Sequence, residues 1–276
     1  MISRPLANGS VAVSARSPDT VRLANNPPNA IMSEFSGKVV IVTGSSSGIG
    51  EAIARRLSSL GAAIVVNSAS SVAAGEKLAA ELGPNAIYVQ ADISDKAQGE
   101  RLLAAALERF GKLDILVNNA GWTTVVPHHD LDALTDEIFE RTFDVNVKGT
   151  WWLTKAAMPH LKQSADGNVI NITSIAGVRP RGSSVAYAMT KAALNHMTLL
   201  LAKACAPVRV NAVAPGLVAT PWTEDWQAQH EAVRATAPLK RSATPDDCAE
   251  ATLGLLRTRY ATGQILVVDG GLTLVM

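Results

Sequence analysis

The stretch Lys38–Leu57, KVVIVTGSSSGIGEAIARRL, predicts a strand, a glycine-rich turn and a helix in succession. Its first six residues form a short, continuously apolar run, typical of a strand buried on both faces of a parallel sheet. Gly44, Gly48 and Gly50 follow, and glycines let a backbone approach a pyrophosphate closely. The helix that follows supplies N–H donors and a partial positive charge at its N-terminus. The stretch therefore predicts a phosphate-binding turn, although a glycine run alone can be only a turn.

Short apolar strands alternate with helical segments along the rest of the chain. Further strands are predicted at 63–67, 87–90, 113–118, around 169–170, at 208–213 and at 265–268. This alternation indicates βαβ units, a parallel sheet and right-handed crossovers. A ligand of such a sheet binds beyond the carboxyl ends of the strands. The polar motifs of the chain fall at those ends.

Composition restricts the class of protein further. The chain has 276 residues, of which 47% are hydrophobic and 18% charged, and its net charge is +1. This balance fits a globular α/β enzyme and gives no sign of binding nucleic acid or an anionic membrane. No apolar run approaches the ~20 residues of a membrane span. Cys205 and Cys248 are too far apart for a zinc-type motif and form no disulfide framework, so a reducing cytoplasm is expected.

The N-terminal segment of the chain differs in composition from the residues that follow it. Residues 1–33 carry four prolines, many polar residues and no apolar period, which predicts a disordered tail. Met32 is an alternative initiator, because it leads directly into the first strand. Residues 34–276 are expected to form the dinucleotide-binding domain, and the polar segment 217–240 is expected to be a mobile substrate lid.

Tyr187 and Lys191 form a possible catalytic pair. The run Ser183–Ala204 contains no Pro or Gly and predicts a helix, and residues four apart share one helix face. A cation beside a phenol lowers the pKa of the phenol, which can then exchange a proton with an alcohol or carbonyl oxygen. Ser174, at the predicted end of a strand, could hydrogen-bond the same oxygen. The alternative is that Tyr187 only packs, as helical tyrosines usually do.

Two loops invite further hypotheses. His128, His129 and Asp130 suggest a metal, but adjacent side chains seldom chelate one ion and no further His/Cys cluster accompanies them. No metal site is therefore expected. Arg179 and Arg181 could attract an acidic or phosphorylated substrate, although two solvated loop cations are the favoured interpretation.

Taken together, the chain from about Gly37 to Leu272 resembles the short-chain dehydrogenase/reductase superfamily. The motifs that carry the resemblance stand in the family's order and spacing. They are Thr43-Gly44-x3-Gly48-x-Gly50, Asn118-Asn119-Ala120-Gly121, Asn146, Ser174, Tyr187-x3-Lys191 and Pro215-Gly216. The resemblance implies an α/β fold with a single Rossmann-type, doubly wound parallel sheet of about seven strands and helices on both faces.

The resemblance also implies roles for individual residues. Tyr187 would be the general acid/base, Ser174 its partner on the substrate oxygen, and Asn146 would hold a water in a proton relay. Lys191 would bind the nicotinamide ribose and lower the pKa of Tyr187. The implied cofactor-binding residues are Gly44, Ser46, Ser47, Gly48, Ile49, Gly50, Asp92, Ile93, Asn119, Ala120, Gly121, Tyr187, Lys191, Pro215, Gly216, Val218 and Thr220.

The segment after the second strand bears on the choice of cofactor. An acidic residue there would bind the ribose 2′-hydroxyl of NAD and repel the 2′-phosphate of NADP. Residues 67–71 carry no carboxylate, and no arginine or lysine either. NADP is therefore favoured over NAD, with serine hydroxyls and helix-end N–H groups as its phosphate ligands.

The expected function is NAD(P)-dependent interconversion of a secondary alcohol and a ketone. Reduction of a 3-oxoacyl thioester is the leading possibility, because the sequence looks most like that branch of the family. A sugar, polyol or steroid dehydrogenase, a lyase or epimerase, and a non-catalytic dinucleotide sensor remain open. The expected partners are a small-molecule substrate and further copies of the chain, in a homotetramer or homodimer formed through the helices that hold Asn146 and Tyr187.

Overall fold

The computed structural model describes residues 34–275, so the predicted disordered tail, residues 1–33, lies outside the described residues. The described residues contain a parallel sheet of seven strands in the order β3-β2-β1-β4-β5-β6-β7. The strands are β1 Val39–Val42, β2 Ala63–Ser68, β3 Ala86–Gln90, β4 Ile115–Asn118, β5 Asn168–Ile172, β6 Arg209–Pro215 and β7 Ile265–Val268. The predicted Rossmann-type fold is confirmed.

Within residues 34–275, eight α-helices connect and cover these strands. They are α1 Gly48–Ser59, α2 Val72–Leu82, α3 Lys96–Phe110, α4 Asp136–Phe143, α5 Thr150–Leu161, α6 Val185–Ala204, α7 Gln227–Thr236 and α8 Pro245–Arg257. Short 3-10 turns occupy Ile175–Gly177, Pro221–Thr223 and Leu272–Leu274. The strand order reverses between β1 and β4, and a parallel sheet of this kind binds its ligand at that point.

The first strand shows why its sequence is apolar throughout. Val40 and Val42 pack into a core with Ile53, Leu57 and helix α8, whereas Val39 and Ile41 pack into a second core against α3 and α5. Successive side chains of a strand point to opposite faces, and here both faces are covered. Burial of each such side chain contributes about 1.5–3 kcal/mol.

Helical backbone continues from Asp136 to Leu161, but its hydrogen-bonding pattern changes in the middle. Helix α4 ends at Phe143, a π-helical segment runs from Asp144 to Gly149, and α5 begins at Thr150. A Cβ at Gly149 would stand 2.6 Å from the carbonyl oxygen of Ile93. The segment thus passes directly against the chain beyond β3, and an isolated π-helical turn of this kind often marks a functional site.

The expected lid is largely ordered into secondary structure. It contains the 3-10 turn at Pro221–Thr223 and helix α7. Val233 of α7 packs with Ile175 and Leu272, so the helix covers the ends of β5 and β7. Whether this segment moves stays a prediction.

Candidate active site

A cleft of about 1010 Å³ opens beyond the carboxyl ends of the strands. With two exceptions, every residue proposed from the sequence as catalytic or cofactor-binding lines it. The exceptions are Gly50 and Asn146, which are buried behind its wall. The topology therefore brings together residues that lie up to 176 positions apart in the sequence, from Gly44 to Thr220.

The glycine turn is held by two asparagines. Asn67 accepts a hydrogen bond from the Gly44 amide (3.2 Å), and Asn119 donates to the carbonyl oxygens of Thr43 (2.9 Å) and Gly44 (3.0 Å). Gly44 has φ of +61°, and a Cβ there would stand 2.9 Å from Cα of Ala120. A Cβ at Gly50 would stand 2.5 Å from Nδ2 of Asn119. Close packing of the turn therefore requires glycine at position 50, and the expected contact of Gly50 with the cofactor stays a prediction.

Asn67 has a role that the sequence did not reveal. Its side chain is buried, and its Nδ2 donates to the carbonyl oxygens of Val89 and Ala91 at 3.0 Å each. Because Oδ1 binds the glycine turn, the amide joins β2, β3 and the turn. In the sequence, the asparagine at this position indicated only that no carboxylate stands at the end of the second strand.

An arginine reaches this end of the cleft from a distant helix. Arg141 of α4 lines the cleft and donates to Oδ2 of Asp92 (2.9 Å) and Oγ of Ser94 (2.8 Å). The local segment 67–71 lacks a basic residue, as the sequence showed, but the folded corner does contain a cation. Burial acts to raise the pKa of Asp92, and the hydrogen bonds from Ser94 and Arg141 outweigh it, so this pKa lies below its ordinary value.

Three elements place the expected catalytic side chains together. Ser174 follows β5 and caps the next 3-10 turn, accepting from the Ala176 amide at 3.1 Å. Ser184 caps α6 by accepting from the Tyr187 amide at 3.1 Å, which fixes where the helix begins. Lys191, one turn later, donates from Nζ to the carbonyl oxygen of Ile172 (2.9 Å). The same Nζ lies 5.5 Å from the centre of the Tyr187 ring.

The electrostatics of this pair differ from the sequence-based expectation. Burial raises the pKa of Tyr187 to about 12, although a hydrogen bond with Ser174 lowers it. Burial also lowers the pKa of Lys191 to about 8. In the cofactor-free protein, desolvation by burial therefore shifts the pKa of each group in the direction that favours its neutral form.

Asn146 lies behind the cleft wall within the π-helical segment. Its Oδ1 accepts from the Trp122 amide (2.7 Å), and its Nδ2 donates to the carbonyl oxygen of Trp122 (3.0 Å) and to Oγ1 of Thr190 (3.0 Å). Both polar atoms of the side chain are thus bound by protein groups. Its expected role in holding a water stays a prediction.

The end of β6 and the first residues of the lid form another side of the cleft. Pro215 ends β6, and Gly216 passes so close to Asp269 that a Cβ would stand 3.0 Å from Cβ of that residue. The methyl group of Thr220 would stand 3.3 Å from a Cβ at Gly48. The lid therefore contacts the glycine turn across the cleft.

The part of the cleft beyond Tyr187 is mostly apolar. Its apolar walls are formed by Trp122, Val125, Val126, Ile175, Leu217, Trp222, Trp226, Val233 and Leu272. Hydroxyls of Thr123 and Ser183 lie 2.6 Å apart, and His128 and Arg181 also line the cleft. Among the described residues that line it, Asp92 at the opposite end is the only carboxylate.

Residues 34–275 contain neither a cluster of metal-binding side chains nor a helix that could span a membrane. No group of three or more His, Cys, Asp or Glu side chains in this range is arranged to hold a metal ion. None of its helices combines the length and the apolar character that crossing a membrane requires.

The chain is similar in sequence to known oxidoreductases. Residues 44–273 match the family model described as enoyl-(acyl carrier protein) reductase. The chain is 54% identical over 239 residues to a protein of Streptomyces violaceoruber named as ketoacyl reductase 2 of the granaticin polyketide synthase, covering 84% of this chain and 95% of that protein. It is 38% identical over 253 residues to glucose 1-dehydrogenase 2 of Bacillus subtilis, covering 87% and 96%.

A solved structure gives the same assignment. The crystal structure of 3-ketoacyl-(acyl-carrier-protein) reductase from Brucella melitensis, complexed with NADH, superposes with a TM-score of 0.81. The two sequences are 36% identical, and the match covers 87% of this chain and 99% of the other. The chain belongs to the short-chain dehydrogenase/reductase family. It is an oxidoreductase that acts on CH–OH groups.

Proposed function

We propose that this protein reduces the ketone of a 3-oxoacyl thioester, with NADPH as the reductant. The observation that carries the proposal is the convergence of Ser174, Tyr187 and Lys191 at one point of a largely apolar cleft. The relative that is 54% identical and is named as a ketoacyl reductase supports the substrate class.

The residues present fit a dinucleotide. A Cβ at Gly44 or Gly50 would collide with the backbone that shapes the turn, and the first residues of helix α1, Gly48 and Ile49, line the same cleft. These groups would hold the pyrophosphate. When bound, a reduced nicotinamide supplies the hydride.

The proposed reaction uses three side chains of this chain. Ser174 donates a hydrogen bond to the ketone oxygen and orients it. As the carbonyl carbon gains a hydride, Tyr187 transfers its phenolic proton to that oxygen, and a secondary alcohol results. Charged Lys191 stabilises the phenolate left behind, and a proton from solvent restores the phenol. The raised pKa of Tyr187 keeps the phenol protonated and ready to act as the acid.

NADP is the preferred cofactor in this proposal. Ser46, Ser47, Ala69 and Ser70 line the corner where a 2′-phosphate would lie, and none carries a negative charge. Titration with NADPH and NADH separately, followed by nicotinamide fluorescence, tests the preference. Tighter binding of NADPH is expected, and tighter binding of NADH would contradict it.

Oxidation of a sugar or polyol is the second candidate, favoured by the glucose dehydrogenase relative. A polyol needs several polar partners, because each buried hydroxyl without a hydrogen bond is costly. The substrate part of the cleft offers apolar walls and no carboxylate among the described lining residues. This composition favours the acyl substrate.

Tyr187→Phe tests the mechanism. The variant keeps the ring and loses the proton donor, so turnover of a 3-oxobutanoyl thioester should fall by at least about a thousandfold, within the range that acid/base catalysis contributes. NADPH binding, measured by fluorescence, should stay within about twofold of wild type. A variant that retains turnover would refute the role of Tyr187, and a wild type that oxidises glucose but ignores the thioester would support the second candidate.

A further inference from the structure

Thr190 joins the two halves of the catalytic apparatus through one hydroxyl group. It lies on α6, three residues after Tyr187 and one before Lys191, and its side chain is fully buried. Oγ1 donates to the carbonyl oxygen of Tyr187 (2.7 Å) and accepts from Nδ2 of Asn146 (3.0 Å). A single group thus links the turn of helix that carries Tyr187 to the π-helical segment.

The helix geometry explains why Thr190 does not face the cleft. Successive residues of an α-helix are rotated by about 100°, so Thr190 points to one side of the face shared by Tyr187 and Lys191. That direction leads to the buried wall where Asn146 lies. Among the described side chains, Thr190 is the only one that hydrogen-bonds the Asn146 amide.

The orientation of this amide matters to the wall of the cleft. The remaining bonds of the amide go to the backbone of Trp122, which lines the cleft. Oδ1 of Asn146 and Nζ of Lys191 both border the space beside Gly121, at 3.4 Å and 3.8 Å from the position a Cβ would take there. If the amide rotated, the Trp122 backbone would lose its two partners.

We propose that Thr190 is a positioning residue: its hydroxyl fixes the Asn146 amide, and through it the Trp122 backbone of the cleft wall, against the turn of α6 that carries Tyr187. The inference rests on the proposed function for its catalytic consequence, but the structural link is independent of any substrate. A hydroxyl is needed because the group must accept one hydrogen bond and donate another.

The chain contains a matched control on the same helix. Thr198, two turns further along α6, is also fully buried. Its Oγ1 donates to the carbonyl oxygen of Leu194 (2.8 Å) and accepts from Nδ2 of Asn171 (2.9 Å). It therefore has the same pattern of bonds as Thr190, far from Tyr187 along the helix. A loss that is only structural should be similar at both positions.

The experiment compares Thr190→Val, Thr190→Ser and Thr198→Val with wild type. The first readout is the NMR spectrum of the cofactor-free protein labelled with ¹³Cζ-tyrosine. The chain has three tyrosines, so three signals must be resolved. The Tyr187 signal is assigned by its loss in Tyr187→Phe. The second readout is kcat and KM for the 3-oxobutanoyl thioester across pH.

Thr190→Val should shift or split the Tyr187 signal, reduce kcat about tenfold with KM nearly unchanged, and alter the pH profile of kcat. Thr190→Ser should restore wild-type behaviour, and Thr198→Val should change only thermal stability. Equal spectra and kinetics for the two valine variants would overturn the proposal. If Thr190→Val does not fold, Thr190→Ala and Thr198→Ala replace the valine pair: a larger shift of the Tyr187 signal in Thr190→Ala supports the proposal, and equal spectra overturn it. A wild type inactive on the thioester would count against the proposed function alone, because the spectrum still reports on Thr190.

Discussion

At the scale of single residues, burial sets the chemistry of the catalytic pair. Tyr187 and Lys191 lie on one face of α6, as their spacing predicts, but their surroundings push both towards the neutral form. The sequence indicated only that a cation stands beside a phenol. How far each group is removed from water depends on the loops and strands packed around them, which are distant in the sequence.

The lowered pKa of Lys191 predicts a pH-dependent stability. Its pKa is about 8 in the folded protein against 10.5 ordinarily. Between these values the unfolded chain binds more protons at this position than the folded protein, so the free energy of unfolding rises with pH. Lys191→Met keeps the length of the side chain and removes the titration. Urea unfolding of both proteins from about pH 7 to about pH 9, below the ordinary phenol pKa of about 10, provides the measurement.

The difference in free energy of unfolding, wild type minus Lys191→Met, should increase as the pH rises above about 8. A difference that is flat or decreases over this range would show that Lys191 keeps an ordinary pKa. His and Cys residues contribute equally to both proteins, so they cancel in the comparison.

At the scale of elements, close backbone approach explains both unusual segments. The glycine turn passes within reach of Asn119 and Ala120 at the end of β4, and the π-helical segment passes against Ile93 beyond β3. In each case a side chain larger than hydrogen has no room. These contacts hold the segments that follow β1, β3 and β4 close together at the edge of the sheet where the cleft lies.

Alanine substitution at two helical glycines separates packing from helix propensity. At Gly50 a Cβ would stand 2.5 Å from Nδ2 of Asn119 and 2.6 Å from the Gly44 carbonyl oxygen, whereas at Gly99 in α3 nothing lies within 4 Å. Gly50→Ala should lower the free energy of unfolding by about 1–3 kcal/mol and weaken NADPH binding. Gly99→Ala should raise it by about 0.5–1 kcal/mol and leave binding unchanged.

Chemical denaturation and NADPH titration of both variants give the two quantities. Equal stability changes at the two positions would mean that the glycine turn has room for a side chain, and that its sequence reflects something other than close packing.

At the scale of the whole molecule, several large apolar side chains of α5 and α6 remain exposed after folding. Trp151 of α5 and Met189, Leu199 and Leu200 of α6 are each more than two-fifths exposed. These helices are the ones through which the family resemblance implies assembly. The exposed side chains support our proposal of a homodimer or homotetramer formed through α5 and α6.

Leu200→Glu tests this proposal. Leu200 is 56% exposed, and a charge buried without a partner at an interface opposes association. The variant should sediment as a smaller species than wild type at equal concentration. Leu131→Glu is the control, because Leu131 is 69% exposed on a loop away from these helices and should leave the sedimentation unchanged. A Leu200→Glu variant that sediments like wild type would exclude this surface as the interface.

Sequence patterns by themselves predicted the sheet and its strands, and the family resemblance supplied the candidate site residues. Apolar runs and glycine spacing are local signals, and every predicted residue except Gly50 and Asn146 lines one cleft. Their catalytic and binding roles stay predictions, because geometry alone does not measure chemistry.

Only the tertiary structure revealed what holds the site in place. Asn67 ties the glycine turn to β3, Arg141 brings a cation to Asp92, and Thr190 binds Asn146. It also showed the π-helical segment that joins α4 to α5 and the direction of the pKa shift at Tyr187. The physical reason is common to all of these. Each depends on two groups far apart in the chain that meet away from water, and a sequence pattern records the residue types without recording which of them meet.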